Sequence, residues 1–395
     1  MSDGLAAAEL GAPDPRLAEL LLDYPRHWFT DKLYRSSELA HHYCGELVVK
    51  LLHDLELAKQ LRAWSSPDSL REARGFSSRF ENALAWLLAF ACENDLLERQ
   101  EQHGVRRYRL HDELREPQLE NLRELGLALD PGNAATLDLL DAAAQAYPAV
   151  ATGAASGEQA LFGMGQINLW LAYFNNEHAL YAINNRLCAA AAANRLADKK
   201  RLRILEVGAG AGSGAEALLQ VLAERELADR IAQYTITEPQ ALFRRRGERA
   251  LKTRYPNLPL AFQSLDMNEP WKAQGIAPAG FDLVFAVNAL HVAKDLMFTL
   301  REARQSLDSG WLVAGECLRP FAGQALYTEM MFQILDSFTE VQLDPAYRPN
   351  PGFLTPEQWR SAIRQAGFEQ VEITPDLSRI REIYPRFATG AVCGC

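Results

Sequence analysis

No run of about 18 consecutive apolar residues occurs in the chain, so no transmembrane helix is expected. The opening Met1-Ser2-Asp3-Gly4-Leu5 lacks the basic-then-apolar order of a secretory signal. Cysteine is sparse and scattered, at 44, 92, 188, 317, 393 and 395, with no C-x-x-C pair. Cys393-Gly394-Cys395 is too tightly spaced for an ordinary zinc site. The histidines are dispersed, and His41-His42 reads as a solvated pair on a helix. These features predict reduced thiols, no metal centre and a cytoplasmic location. An excess of basic charge is also missing: the formal net charge is −10, which argues against a general polyanion binder. No internal repeat is visible, and the one biased tract is the Ala-rich 188–193.

What remains is a globular composition, 48% hydrophobic and 23% charged. At roughly 100–200 residues per domain, 395 residues suggest two domains or three small ones. Such a length can bury a core without disulfides or structural metal.

The first ~15 residues are small, acidic and Pro-containing, and are expected to fray. Helical spacing of Leu39, Val48, Leu51, Leu52 and Leu55 marks residues 36–64. Ser66-Pro67-Asp68 is a helix start, and Gly75 ends the short helix that follows. Ser77 or Ser78 can cap a helix from Arg79 to Glu93. Two short strands, around Leu97 and Tyr108, then flank a turn at His103-Gly104. This order is winged-helix-like. Residues 1–115 nevertheless hold 15 Lys and Arg against 19 Asp and Glu, so the basic footprint of a DNA reader is absent. A dimerisation or lid module is the favoured reading.

Residues 116–195 read as helical, with a segment rich in aromatics and Asn: Trp170, Tyr173, Phe174, Asn175, Asn176, Tyr181, Asn184 and Asn185. Core packing and a substrate-facing lid both fit it; buried Asn and Tyr need hydrogen-bond partners in either case.

From Arg203 the pattern becomes alternating apolar runs and amphipathic helices. Strands are expected at Arg203–Val207, Tyr234–Thr237, Leu260–Gln263, Phe281–Val287, Trp311–Gly315 and Val371–Thr374. That is the rhythm of a doubly wound, Rossmann-like α/β sheet. The first strand runs into Glu206-Val207-Gly208-Ala209-Gly210-Ala211-Gly212. Glycines let backbone turn sharply and approach a ligand closely. The loop alone also fits a dinucleotide site. Glu206 separates the two readings, because an acid there suits the ammonium of a methionine moiety and would repel a pyrophosphate. Glu238 ends the second strand, where a carboxylate can accept both ribose hydroxyls. Asp266 can accept from an adenine amino group, and Met267 can pack on the ring. The buried strand 281–287 ends in Asn288-Ala289-Leu290-His291 at the ligand edge of such a sheet.

These four segments resemble class I S-adenosylmethionine-dependent methyltransferases, most of all the methyltransferase domains of polyketide synthases and their stand-alone relatives. Leu161-Phe162, Tyr181 and Asn184-Asn185 look like the helix that precedes the cofactor motif in that group. Thr355-Pro356-Glu357-Gln358-Trp359 leading to Ala366-Gly367-Phe368 resembles its last helix and strand. Glu238 stands where Asp is commoner. The resemblance implies S-adenosylmethionine as cofactor, bound by Glu206, Gly208, Gly210, Gly212, Glu238, Asp266, Met267 and Asn288.

The winged-helix-like start and Gly315-Glu316-Cys317-Leu318-Arg319-Pro320 also look similar to small-molecule O-methyltransferases. In both groups a His after the fourth strand and a Glu after the fifth form the working pair, here His291 and Glu316. A neutral imidazole is a good base near pH 7, and a carboxylate can orient it. Trp170, Tyr173, Phe174, Tyr181, Tyr327 and Met331 are the candidate substrate pocket. Phe321, Met330 and Phe332 complete its aromatic and apolar composition, which suits a polyketide-like or aromatic small molecule.

The expected division is a winged-helix-like domain over 1–120, a helical connector and lid over 121–198, and a Rossmann-like catalytic domain over 199–395. The expected reaction is methyl transfer to carbon or hydroxyl, with the substrate free or presented by a carrier protein. The resemblance also implies a homodimer. Two other readings stay open at this point: an NAD-dependent oxidoreductase, and a ligand-sensing winged-helix regulator.

Overall fold

The structure is a computed structural model and describes residues 11–163 and 165–395. The fraying expected at the start therefore lies largely outside the described residues. Two compact units divide the chain. One consists of Arg35–Tyr173 with Phe321–Glu340; the other combines the stretch ending at Tyr34 with Phe174–Pro320 and Val341–Cys395.

The first unit is helical. It holds α1 (Asp31–Asp54, counted from Arg35), α2 (Pro67–Arg74), α3 (Glu81–Glu93), a hairpin of β1 (Leu97–Gln102) and β2 (Val105–Leu110), then α4 (Leu119–Leu129), α5 (Ala134–Ala151), α6 (Gly157–Phe162) and α7 (Ile167–Tyr173). Local chemistry explains the boundaries. The Ser66 hydroxyl accepts the Ser69 N–H at 3.2 Å, Pro67 sits at the first helical position, and Gly75 ends α2 with φ +65°. Ser77 caps a short 3₁₀ turn, Ser78–Phe80, which leads into α3. His103 and Gly104, both at positive φ, close the hairpin. The pair His41-His42 is not evenly solvated. His41 is buried, with Nε2 3.0 Å from Asn94 Oδ1, while His42 is exposed.

Residues 321–340 belong to this unit through backbone contact. Gly157 at the start of α6 lies so close to Ile334 that a Cβ would sit 1.8 Å from its carbonyl oxygen. The buried Tyr147 hydroxyl of α5 donates to the Met330 carbonyl at 3.1 Å.

The second unit is the α/β unit. In chain order it contains α8 (Ala179–Leu196), β3 (Leu202–Val207), α9 (Ser213–Glu224), β4 (Ile231–Thr237), α10 (Ala241–Arg254), β5 (Leu260–Gln263), β6 (Phe281–Val287), α11 (Leu296–Ser306), β7 (Leu307–Cys317), α12 (Pro356–Gln365), β8 (Val371–Thr374), α13 (Leu377–Ile383) and β9 (Thr389–Gly394). The sheet order is β5-β4-β3-β6-β7-β9-β8. The first five strands are parallel, and β9 runs antiparallel to both β7 and β8. Strand β6 is buried along its whole length, as expected of a central parallel strand covered on both faces. One face packs α11 and α12, the other α8 and α9. The Ala-rich tract 188–193 is the surface by which α8 lies close on the sheet: a Cβ on Gly315 of β7 would stand 2.7 Å from Cys188 Cβ. The chain leaves β3 toward β4 and β5, then returns to β6 on the other side. That reversal opens a crevice at the carboxyl ends of β3 and its neighbours.

This division replaces the three consecutive segments expected from the sequence. Leu17, Leu21, Tyr24 and Phe29 bury themselves against Ile183, Leu187 and Ala190 of α8 and against Ile380 and Tyr384, which ties the start of the chain to the α/β unit. Strand β9 is a further correction, because the tail was read only as scattered thiols. No helix among the described residues is long and apolar enough to cross a membrane.

Candidate active site

The glycine loop follows β3 and leads into α9. Gly208, Gly210 and Gly212 have φ values of +70°, +55° and +92°. Each lies in the left-handed region that favours glycine. A Cβ at Gly210 would meet nothing within 4 Å, so the loop presents bare backbone to open space. Glu238, at the tip of β4, fixes this loop: Oε2 accepts the Gly210 N–H at 2.9 Å and Oε1 accepts the Gln240 N–H at 2.8 Å. Burial raises its pKa. Each carboxylate oxygen keeps a further lone pair for a hydroxyl donor.

Glu206 sits differently from the sequence expectation. It is 1% exposed, and its carboxylate turns beneath the loop. Oε2 accepts the Tyr234 hydroxyl at 2.7 Å, and the carboxylate also accepts the Ala215 N–H in the first turn of α9. A Cβ on Gly214 would stand 2.8 Å from Oε1. Gly212, at the N-cap of α9, has no side chain to cap it, so Glu206 satisfies that helix end from below. Burial, reinforced by the charge of Glu238, pushes the Glu206 carboxyl up to about 8, against the opposing hydrogen bonds from Tyr234 and Ala215.

Asp266 is exposed and accepts both the backbone and side-chain N–H of Asn268 at 2.9 Å through Oδ1. Gln274 pins the same turn from both sides: its Oε1 accepts the Asp266 N–H and its amide donates to the Asp266 carbonyl, each at 2.8 Å. Met267 is half-buried against the core beneath α11. Asn288 follows β6 with φ +47° and donates its N–H to Gly315 at 2.7 Å. Its Oδ1 is buried with no hydrogen-bond partner among the described residues. An orphaned acceptor of this kind marks a place for a donor. The buried Tyr181 hydroxyl bonds to the side chains of Ser213 and Asn288, which brings α8 to the same point. The Asn-rich segment finds its partners here too: the Asn176 amide donates to Ser213 O and Glu216 Oε2, both at 2.9 Å.

His291 and Glu316 meet. Nδ1 lies 2.6 Å from Glu316 Oε2, with His291 4% exposed and Glu316 fully buried. Glu316 Oε1 accepts the Leu290 N–H at 3.0 Å. The carboxylate is acceptor-only, so the neutral ring carries its proton on Nδ1 and its lone pair on Nε2. The Phe353 ring packs 4.7 Å from the imidazole. Arg348 is buried and donates to the carbonyls of His291 and Ala293, the latter at 2.6 Å. Its burial lowers its pKa to about 10. The sequence reading passed over Arg348 and Phe353, which lie in no motif and arrive through tertiary contact, and it took Tyr234 only as the start of the second strand.

The six pocket candidates divide between the units. Phe174 and Tyr181 are in the α/β unit, their rings 5.1 Å apart. Trp170, Tyr173, Tyr327 and Met331 are in the helical unit. Trp170 is fully buried, donates its indole N–H to the Leu161 carbonyl at 2.7 Å, and stacks on Phe162 at 4.7 Å. Phe321 is 60% exposed.

A family described as a methyltransferase domain matches residues 205–311, from within the glycine loop's strand to the middle of β7. That span contains the glycine loop and disfavours the dinucleotide reading. Polyketide synthase PksR of Bacillus subtilis (strain 168) is 28% identical over 264 residues, which is 65% of this chain and 10% of PksR. The chain thus spans about a tenth of that relative's length. The CurJ carbon methyltransferase crystal structure matches with a TM-score of 0.77, at 22% identity, over 96% of each chain. The DszA carbon methyltransferase structure matches with a TM-score of 0.71, at 21% identity, over 98% of this chain and 94% of that one. Residues 205–311 thus carry a methyltransferase domain, and over nearly its whole length the chain has the fold of these two carbon methyltransferase structures.

Proposed function

We propose that the chain uses S-adenosylmethionine to methylate the acidic carbon between two carbonyls of a polyketide-like acyl thioester presented by a carrier. The observation that carries this reading is the buried His291–Glu316 pair at the tips of adjacent strands, 2.6 Å apart, beside the glycine loop's crevice. The carbon methyltransferases among the structural matches favour carbon over hydroxyl as acceptor.

The residues present fit the cofactor. Gly208, Gly210 and Gly212 offer a close backbone approach, Glu238 retains acceptor capacity for the ribose hydroxyls, and Asn288 Oδ1 awaits a donor. Asp266 and Met267 stand at the adenine end. Glu206 acts beneath the loop, holding the start of α9 in place. Bound S-adenosylmethionine supplies the electrophilic methyl carbon and the sulfur leaving group. His291 Nε2 takes the proton from the acidic carbon, and the carbon's freed electron pair forms the new C–C bond. Glu316 fixes the ring orientation and stabilises the imidazolium that results. Phe174 and Tyr181 bound the acyl group on the α8 side.

The test is mass spectrometry of a 3-oxoacyl thioester incubated with the purified protein and S-adenosylmethionine. Carbon methylation by the wild type is expected, with His291→Ala slower by about 10²- to 10⁴-fold and S-adenosylhomocysteine affinity retained. A 3-hydroxyacyl thioester, which lacks the acidic carbon, stays unmodified. Methylation of its hydroxyl instead would overturn carbon specificity.

A further inference from the structure

Helix α10 carries Arg244, Arg245, Arg246, Arg249, Lys252 and Arg254 against a single acid, Glu248, in a chain whose net charge is −10. Three of these cations have local partners. Arg244 donates to the Glu238 carbonyl at 2.6 Å, Lys252 pairs with Glu248, and Arg254 pairs with Glu216. Arg245, Arg246 and Arg249 are exposed, and among the described residues none of their guanidinium groups has an ion-pair or hydrogen-bond partner. Elsewhere in the chain arginines commonly lie against carboxylates, as Arg109 does on Glu98, Arg115 on Glu46, Arg123 on Asp138 and Asp141, and Arg203 on Asp282.

The spacing puts the three free arginines on one face. Residues 242, 245, 246, 249 and 253 recur at i, i+3, i+4, i+7 and i+11. The first of them, Leu242, is 61% exposed. The opposite face is anchored: Leu251 is buried, and a Cβ on Gly247 would stand 3.0 Å from the Ala211 backbone of the glycine loop. The stripe is therefore rigidly mounted, about 17 Å long at 1.5 Å per residue, and apolar at its N-terminal end. Its like charges repel one another, and a solvated face gains nothing from placing them in a row.

We propose that this face of α10, formed by Leu242, Arg245, Arg246 and Arg249, docks the carrier that presents the acyl thioester, through a row of carboxylates along one helix of that carrier. The proposal rests on the carrier-borne substrate proposed above. The geometry sets a second requirement. The helix leaves the tip of β4, and the His291–Glu316 pair stands at the tips of β6 and β7, three strand steps or about 14 Å across the sheet. The acyl group must ride on an extended, flexible arm to cross that span.

The experiment compares two substrates of one chemistry: a 3-oxobutanoyl group on an acidic acyl carrier domain, and the same group on a small soluble thioester. The variant is Arg245→Glu/Arg246→Glu/Arg249→Glu. With the carrier-borne substrate, kcat/KM is expected to fall at least 10-fold, and the wild-type value to drop with added salt while the variant's does not. With the small thioester, kcat/KM stays within 2-fold of wild type, as does the affinity for S-adenosylhomocysteine. Equal kcat/KM of wild type and variant on the carrier-borne substrate would overturn the surface. If the wild type methylates neither substrate, the proposed function fails by itself, and direct titration with the acyl carrier domain decides the surface: binding lost in the variant supports it, binding retained refutes it. Tighter binding of an RNA oligonucleotide than of the carrier domain, lost in the same variant, would also refute it.

Discussion

Replacing Glu206 with glutamine removes one titrating group from the centre of the α/β unit and changes how the fold answers to pH. In the folded chain the carboxyl is held up at about 8, against an ordinary value of 4.5, with burial as the leading cause. Below pH 4.5 both folded and unfolded chains hold the proton, and the stability tied to it is fully present. As pH rises, the unfolded chain releases the proton while the folded chain keeps it, so stability falls until the folded group also ionises near 8. Each pH unit inside that window lowers stability by about 1.4 kcal/mol. Between pH 6 and 8 the group therefore accounts for a loss of about 2 kcal/mol. The glutamine variant should lack this loss. Its amide can still accept one hydrogen bond, and the Tyr234 hydroxyl can rotate to accept from the amide nitrogen. The assay is urea unfolding of cofactor-free protein at pH 6, 7 and 8. The wild-type midpoint should drop more steeply with pH than that of Glu206→Gln, by the equivalent of about 2 kcal/mol over the range. Parallel midpoint-against-pH lines for the two proteins would refute the reasoning.

Glu238→Ala removes the acceptor that fixes Gly210 and Gln240, and calorimetry should show S-adenosylhomocysteine binding weakened by about 10- to 100-fold; unchanged affinity would count against its place in the cofactor site. Gly157→Ala forces a Cβ to 1.8 Å from the Ile334 carbonyl, so the backbone must shift. Thermal unfolding should show a loss of about 3 kcal/mol, and an unchanged midpoint would show that the two segments do not pack this closely. Arg348→Met leaves the His291 and Ala293 carbonyls without their buried donor. A stability loss of about 2 kcal/mol is expected, together with a fall in kcat larger than any rise in KM; kinetics matching wild type would separate Arg348 from the dyad.

Much of the α/β unit was legible because its signals are local. The run Phe281–Val287 and the strands at Leu260–Gln263 and Val371–Thr374 appear where apolar periodicity put them, and the segment from Thr355 does begin a helix, closed by a capping box between Thr355 and Gln358. The hairpin turn at His103-Gly104 needed only its own residues. Three features were hidden, each for a physical reason. Strand β9, Thr389–Gly394, is buried on both faces and built mostly of small residues, so it shows neither alternation nor a strong apolar run. Residues 321–340 join the helical unit through contacts such as Gly157 against Ile334, far apart in sequence. The direction of the Glu206 side chain depends on Tyr234 and Ala215, contacts that the spacing E-x-G-x-G-x-G does not carry.

The pairing of His291 with Glu316 shows what a sequence pattern can and cannot supply. The two residues lie 25 positions apart, and nothing local joins them. Sheet register does: Val287 of β6 stands opposite Gly315 of β7, so Glu316 is the next residue out and His291 returns on the short turn after Asn288. That register needs two close approaches that a side chain would block. A Cβ on Gly310 would stand 2.3 Å from the Asp282 carbonyl oxygen, and one on Gly315 would stand 2.7 Å from Cys188 Cβ of α8. The dyad is therefore set by glycines that never touch it. Any change that lifts α8 from β7, or shifts β7 along β6, moves the carboxylate relative to the imidazole before it alters either residue.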